Sequence, residues 1–513
     1  MKAHPENRNQ TNNLRVQRIG LDTHDQPVII THRDCSLCRS EGFSAHARVR
    51  IGNGMGTVIA TLYQVDSDWL KPGEAALSES AWRLLNISEG DEIHLSHPQP
   101  LDSLGKVRGR LYGQPISRQA MSDIITDIAA GRYADIHTAM FLTAMAARGL
   151  SDEELVSLTE AMISAGDRLQ WPHSPITDKH CVGGLPGNRT TPLVVAIAAA
   201  NGLWMPKTSS RAITSPAGTA DTMETLTPVD LSLAAMRRVV QLEGACMVWG
   251  GAVRLSPVDD MLIRVARVMD LDAEGQLIAS VMSKKIAAGA THLVLDLPVG
   301  DTAKVRSRDD AEHLSKKLEM VADAFELKTR ILITDGRQPV GRGIGPALEA
   351  FDILGVLENR SDAPADLRQR SVDLAGAALE LAGAASQDQG RTLAEETLTS
   401  GAALKKFFAI CQAQGGLREP PRARQTLDVC AESDGQVAAF DNRRLGRVAK
   451  LAGAPGAPAA GVVRHVALGD SITRGQPLYT IHADSRGELN YAHEFAMSNR
   501  DLIGIHFVPE LKS

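Results

Sequence analysis

A chain of 513 residues is long enough for three or four domains of about 150 residues, each able to bury a substantial core. Its 55 Lys and Arg against 61 Asp and Glu leave a formal charge of −6, so cations gathered in particular loops point to a small anionic ligand and against broad nucleic-acid binding. There is no run of about 18 apolar residues to span a bilayer, no apolar core in the polar start MKAHPENRNQTNN, and six cysteines are too sparse for a disulfide framework; a soluble, cytoplasmic protein with reduced thiols is expected.

Residues 14–98 alternate apolar and polar side chains in short runs, as in Ala47-Arg48-Val49-Arg50-Ile51 and Glu92-Ile93-His94-Leu95, between Gly52, Gly54, Gly56, Pro72 and Gly90. That predicts a β-rich N-terminal domain over 1–98, ended by His97-Pro98-Gln99-Pro100. His32-x-x-Cys35-x-x-Cys38 within it invites a zinc reading, but no second ligand pair follows at finger spacing, and no metal is assigned. From 116 to 170 the period becomes helical, with Ser117 and Ser151 as N-caps, the latter forming a capping box with Glu154. Gly131, Gly149 and Gly166 divide this stretch into three or four helices, and a helical domain is assigned to 107–175. Apolar runs at 291–297 and 330–334 then alternate with helices, which predicts βαβ units in an α/β catalytic domain over 176–417, some of whose helices could pack with the helical domain. A Pro- and Arg-rich linker at 418–424 precedes a C-terminal α+β domain over 425–513, with a turn at Gly469-Asp470-Ser471 and a strand near 478–482. The fold class is α/β, multidomain.

Two turns around one short apolar helix carry the chemistry. The first holds Asp178, Lys179, His180, Cys181, Gly183, Gly184, Gly187, Asn188, Arg189, Thr190 and Thr191, then Pro192, the apolar run 193–200 and Gly202. Pro at the start and Gly past the end mark a loop feeding a helix N-terminus, whose free N–H groups and dipole favour a phosphate or carboxylate. The second, 207–219, crowds Lys207, Arg211 and six hydroxyl side chains into thirteen residues, a composition suited to phosphate and sugar oxygens. Neither turn has the Gly-Lys-Ser/Thr ending of a Walker loop or the spaced glycines of a dinucleotide fingerprint, which disfavours triphosphate hydrolysis and nicotinamide chemistry.

Lys179-His180-Cys181-x-Gly183-Gly184, followed by Ser209-Ser210-Arg211 and Gly218-Thr219, resembles the thymidine and pyrimidine-nucleoside phosphorylase family. Pro186-Gly187-Asn188-Arg189-Thr190-Thr191 and Ser210-Arg211-Ala212-Ile213-Thr214-Ser215 are similar to its type 2 branch, which contains archaeal AMP phosphorylase and bacterial thymidine phosphorylases; the likeness runs over nearly the whole chain. It implies a helical domain beside a mixed α/β domain, an active site in the cleft between them, a C-terminal α+β domain, an added N-terminal β domain, and a homodimer or larger assembly; closure of the cleft is expected because the two binding sets should lie on separate domains. It also implies phosphorolysis, in which phosphate replaces the base on sugar C1′ through a transition state with positive charge on the sugar and negative charge on the departing base. The partners are a nucleoside or nucleotide and inorganic phosphate as co-substrate, with no cofactor or metal.

By the same resemblance, Lys179, Ser209 and Thr219 hold phosphate with Ser210, Thr190 and Thr191 assisting, while Gly184, Arg211, Ala212, Ile213, Thr214, Ser215, Ser280, Lys284 and Lys304 contact the nucleoside or nucleotide. Ser280 and Lys284 are four apart and share one helix face. Cys181 stands where many relatives place a phosphate-binding serine; a thiol is a weak donor, so that contact can pass to backbone N–H. His180, with a titration near neutrality, either contacts sugar or base or orients the loop. Asp272 matches the proton donor of the AMP phosphorylase branch, a role that needs a raised pKa, or else caps a helix ahead of Glu274. Pyrimidine-specific relatives place an arginine about fifteen residues before the equivalent of Ser280, where this chain has Val265, and Arg264 or Arg267 substitutes only with a register shift. The leading expectation is phosphorolysis of thymidine to thymine and 2-deoxyribose 1-phosphate. Phosphorolysis of AMP and other nucleoside monophosphates to ribose 1,5-bisphosphate stays open, as do, more remotely, a magnesium-dependent phosphoribosyl transfer and a non-catalytic nucleotide-binding role.

Overall fold

The computed structural model describes residues 13–23, 25–212, 215–253, 255–271 and 273–506. The chain divides into two compact units, residues 1–148 with 261–271, and residues 149–260 with 272–513.

In the first unit, β1 (Asn13–Arg18), β2 (Val28–His32), β3 (Arg48–Gly52), β4 (Thr57–Val65), β5 (Glu74–Leu77) and β6 (Glu92–Ser96) form a closed barrel in the order β1-β5-β2-β4-β3-β6. Closure leaves no edge strand open to pairing, and the period of two sends Val49, Ile51, Ala60 and Leu62 into the interior at 0% exposure. Two short helices, α1 (Ser36–Ser40) and α2 (Glu79–Leu85), interrupt the strands. The CxxC pair belongs to this core: Cys35 Sγ accepts from Cys38 N at 3.3 Å as the cap of α1, and Cys38 Sγ donates to Thr31 Oγ1 at 3.5 Å. Three helices follow, α3 (Ser103–Leu111), α4 (Arg118–Ala129), capped by Ser117, and α5 (Asp135–Arg148). The sequence pattern does not announce α3, because Gly105 and Gly109 weaken its local propensity.

The second unit opens with α6 (Asp152–Ser164), where the reciprocal Ser151–Glu154 capping box is present. There follow β7 (Thr177–Cys181), α7 (Thr191–Ala200), β8 (Met205–Ser209), α8 (Thr219–Glu224), α9 (Leu233–Glu243), β9 (Ala245–Trp249), α10 (Pro257–Val268), which runs on into the first unit, α11 (Glu274–Ala287), β10 (His292–Val299), α12 (Arg308–Ala324) and β11 (Lys328–Asp335). Strands β11, β10 and β7 pair in parallel, as do β8 and β9, and the parallel bridge between Ile176 and Trp204 carries the arrangement across. The resulting order, 11-10-7-8-9, reverses at β7 and β10: the chain first builds outward on one side of β7, then returns to build on the other. Beyond the carboxyl ends of an open parallel sheet, such a reversal leaves a crevice for ligands.

Helix α7 is buried on all faces, because Leu193, Val194, Val195 and Ile197 pack into one core with α14 (Ala365–Leu381) and α16 (Ala402–Gln414). The short strand β12 (Gly343–Ile344), α13 (Pro346–Leu357) and α15 (Gly390–Thr399) complete this part. The C-terminal part holds β13 (Gln425–Cys430), β14 (Gly435–Phe440), α17 (Asn442–Leu451), β15 (Gly461–Arg464), β16 (Ser471–Ile472), β17 (Pro477–Ala483), α18 (Arg486–Ser498) and β18 (Ile503–His506). Its two sheets run β12-β15-β17-β13 and β16-β14-β18 over a core that includes Leu445, Val448, Val462 and Ile481. Among the described residues no helix is long and apolar enough to cross a membrane.

Replacing Ser151 by Ala removes the side-chain acceptor for Glu154 N at the start of α6. We expect S151A to lose about 1 kcal/mol of stability, read as a lower denaturant midpoint with an unchanged slope.

Candidate active site

Strand β7 reaches the sheet reversal with four polar residues in a row, and its alternation sends Lys179 and Cys181 to one face and Asp178 and His180 to the other. On the first face, Lys179 is 1% exposed and its Nζ donates to Thr190 Oγ1 at 2.7 Å. Burial pulls the Lys179 ammonium below its ordinary range, with the Asp296 carboxylate opposing. Thr190 is the cap residue of α7, yet its side chain makes no capping bond and accepts from the lysine instead. Thr191 opens the helix and is buried. Asn188 Nδ2 donates to Cys181 Sγ and to Asp296 Oδ2, both at 3.2 Å, and Thr334 Oγ1 donates to Asp296 Oδ1 at 2.6 Å. Burial, then Asp296, pushes the Cys181 thiol up, so it stays protonated.

Two glycines let this loop fold tightly. Gly184 (φ +91°) brings the loop against Lys304, where a Cβ would lie 2.7 Å from Lys304 N. Gly187 (φ +67°) lies against Val340, where a Cβ would meet the carbonyl oxygen at 2.3 Å. Gly184 and Lys304, both assigned to the ligand from sequence, are therefore neighbours.

The second turn begins later than its composition suggests. Lys207, Thr208 and Ser209 lie in β8, paired with Met247, Val248 and Trp249, and only from Ser210 does the chain leave the sheet. Among the described residues Ser209 Oγ, which is buried, has no hydrogen-bond partner, while Ser210 is exposed. Asp221 organises the loop: its Oδ2 accepts from Ala212 N (2.6 Å) and from Gly218 N (2.8 Å), drawing the two ends together. Ser215 Oγ donates to Ala217 O at 2.9 Å. Ile213 and Thr214 lie outside the described residues, as does Asp272. Arg211, assigned to the ligand from sequence, uses its fork within the protein, on both oxygens of Glu224 (2.5 and 2.9 Å) and above the Trp249 ring at 5.0 Å.

Arg189 joins the two turns. Its Nε donates to Glu349 Oε2 (2.7 Å), its Nη1 to Thr219 Oγ1 (2.9 Å) and its Nη2 to Ala217 O (2.8 Å).

On the other face of β7, Asp178 pairs with Lys207 at 3.0 Å and with Lys285 at 2.9 Å, all three buried. Burial works to raise the Asp178 carboxyl, but the two ammonium groups outweigh it and hold it below its usual range; burial and Lys207 in turn pull Lys285 down, against Asp178. Lys207 is thus a buried counter-ion and not the loop cation its sequence neighbours suggest. His180 lies in the field of Lys285, Lys207 and Lys284, and burial together with these charges holds its pKa well below the ordinary value. The near-neutral titration inferred from residue type is displaced: the ring is a neutral donor and acceptor. Helix α11 carries half-buried Ser280 and Lys284, whose Nζ donates to buried Asp259 Oδ2 at 2.5 Å. The cap position of α11 is Ala273, whose side chain makes no capping bond.

Sequence reasoning gave no place in a site to Lys285, Asp296, Asp221 or Glu349, and named Asp178, Asn188, Arg189 and Lys207 only as members of the two turns, without a partner or role. The available signal was a charged residue inside an otherwise buried segment, as with Asp296 at the centre of β10 and Glu349 in α13.

Two outcomes follow from this geometry. G187A should weaken binding of inorganic phosphate and lower the melting temperature by several degrees, roughly what 1–3 kcal/mol of backbone strain does, as read by calorimetry and a thermal scan. For His180 the sign runs through proton uptake: the unfolded ring binds a proton near pH 6.5 and the folded ring does not, so stability falls as pH drops below about 6.5. H180N should flatten that part of the stability–pH curve in denaturant titrations between pH 7 and 5.

Family models match the chain in three places: the helical bundle domain of a glycosyl transferase family at residues 104–166, its a/b domain at 173–404, and the pyrimidine nucleoside phosphorylase C-terminal domain at 436–500. Among solved structures, anthranilate phosphoribosyltransferase from Thermus thermophilus aligns with 60% of this chain and 99% of its own, at 20% identity and a TM-score of 0.49. Proteins named "Putative thymidine phosphorylase" from Chelativorans sp. (strain BNC1) and Polaromonas sp. (strain JS666) are 59% and 56% identical, each match covering 96% of this chain and 97% and 96% of the relative. One from Legionella pneumophila is 53% identical over 96% of this chain and 95% of its own. With these matches spanning nearly its whole length, the chain is a pentosyltransferase-type protein that belongs to the thymidine and pyrimidine-nucleoside phosphorylase family.

Proposed function

We propose that the protein catalyses phosphorolysis of thymidine to thymine and 2-deoxyribose 1-phosphate. An oxygen of inorganic phosphate attacks C1′, the bond from C1′ to the base nitrogen breaks, and its electron pair leaves with the base, which takes up a proton. The observation that carries this reading is the pairing of Lys179 with Thr190 and of Arg189 with Thr219 at the starts of α7 and α8, with Ser209 at the end of β8. Thr190 and Thr219 each accept from a cation, and among the described residues buried Ser209 Oγ has no partner; in this reading the three hydroxyl protons go to the phosphate oxygens. Family membership supports the same chemistry, with inorganic phosphate as co-substrate and no metal or organic cofactor. In this reading Ser280 and Lys284 meet the base, and neutral His180 contributes hydrogen bonds without trading protons. Asp272 is proposed as the donor to the departing base.

One observation favours a second reading, phosphorolysis of nucleoside 5′-monophosphates. Val265 is buried at 6% exposure, and the neighbouring Arg264 is spent on Asp135 at 3.0 Å. Val265 stands where pyrimidine-specific relatives place an arginine against the base; without a register shift to Arg267 the base has one donor fewer in this reading, and a substrate phosphate contributes the remaining affinity.

Base release should be measured from thymidine, uridine, AMP, CMP and UMP, with and without inorganic phosphate, in the presence of a chelator. Phosphate-dependent release from thymidine that survives the chelator is the expected result. Activity confined to the monophosphates transfers the assignment to the second reading, whereas a requirement for magnesium and pyrophosphorylated ribose, or no release at all, overturns both.

A further inference from the structure

We propose that Arg189 is a positioning residue that fixes the direction in which the Thr219 hydroxyl donates, and thereby sets the affinity for phosphate; the inference rests on Thr219 being a phosphate contact. A hydroxyl has one proton and two lone pairs, and a guanidinium has donors only. At 2.9 Å from Arg189 Nη1, Thr219 Oγ1 must accept, and its single proton is left to point elsewhere. Thr190 stands in the same relation to Lys179 Nζ. The two hydroxyls, one at the start of each helix that follows a turn, are each left as a donor by a different cation.

Arg189 does this with a geometry that lysine cannot copy. Nε, Nη1 and Nη2 each have a separate partner, Glu349 Oε2, Thr219 Oγ1 and Ala217 O, so the plane of the guanidinium is fixed at three points. Glu349 is fixed in turn, because the same Oε2 accepts from Thr222 Oγ1 at 2.9 Å and Oε1 lies 3.4 Å from Gly345 N. Glu349 is 2% exposed, and a carboxylate there is tolerable only while the arginine faces it. The first turn therefore supplies the cation, α13 holds it, and the second turn receives the oriented hydroxyl.

The competing account is that Arg189 only fastens α8 to α13, with no bearing on phosphate. A double-mutant cycle separates the two. Inorganic phosphate is titrated calorimetrically into full-length wild type, R189M, R189K, T219V and R189M/T219V, and KM for phosphate, KM for nucleoside and kcat are measured alongside. If Arg189 acts through Thr219, R189M and R189K each weaken phosphate binding by about tenfold or more, while KM for nucleoside stays within about twofold. T219V does the same, and in the T219V background R189M costs no more than about a further twofold. Should R189M fail to fold, R189K and E349Q provide the same comparison, since E349Q keeps the side-chain shape and withdraws the counter-charge. Additive losses in the cycle, or phosphate affinity unchanged in folded R189M or R189K, overturn the proposal. A wild type that binds phosphate but releases no base overturns phosphorolysis and leaves the calorimetric cycle to decide on Arg189; a wild type that binds no phosphate overturns both.

Discussion

The alternation of strand β7 is the constraint from which the site follows. Four consecutive polar residues enter the middle of a parallel sheet, where a segment buried on both faces is ordinarily apolar. Each has to be compensated where it lands. Asp178 is compensated by two lysines from different elements, Lys179 by a threonine and an aspartate, Cys181 by an asparagine, and His180 by losing its charge altogether. A sheet with that much buried polarity at one point is poorly explained by stability, because a buried ion pair seldom exceeds a well-packed apolar replacement. It is well explained by a ligand that needs both cations and protons at the place where the strand order reverses.

The distribution of charge across the two faces makes the same point. On one face the carboxylates serve as anchors: Asp296 takes Asn188 and Thr334, and Glu349 takes Arg189 and Thr222. On the other, three lysines converge around His180 with Asp178 and Asp259 as counter-ions. Neither face is left as a bare positive hole, which would repel its own members in a medium where charges interact strongly. Arg189, Lys207, Lys284 and Lys285 are held by carboxylates, while Lys179 is held by the Thr190 hydroxyl.

Much of the architecture could be read from the residues because it is local. The Ser151–Glu154 box, the Pro192 start of α7 and the apolar runs that form β10 and β11 depend only on neighbours within a turn or a strand. What could not be read is pairing at a distance. Arg189 and Glu349 are 160 residues apart, and nothing in either neighbourhood names the other. Composition groups Lys207 with a hydroxyl-rich loop because it does not show where a strand ends; β8 runs through Ser209, and burial turns the lysine into a counter-ion. His180 shows the same limit in electrostatic form, since a residue type carries a reference pKa and only the fold supplies the lysines that move it.

The pairing of β12 with β15 reaches further than its two residues suggest. Gly343 and Ile344 lie between the sheet that carries the site and α13, yet they bond to Val463 and Val462, and Ile344 is buried in the C-terminal core. Ala347 N donates to Pro458 O, and Arg464 reaches back to Gly341 O and Asp366. The helix that presents Glu349 thus begins on a foundation laid by residues more than a hundred positions downstream. In evolutionary terms the C-terminal segment is not a detachable module: a gene fusion or truncation at the 418–424 linker would strip α13 of its footing, so the two segments are bound to be inherited together.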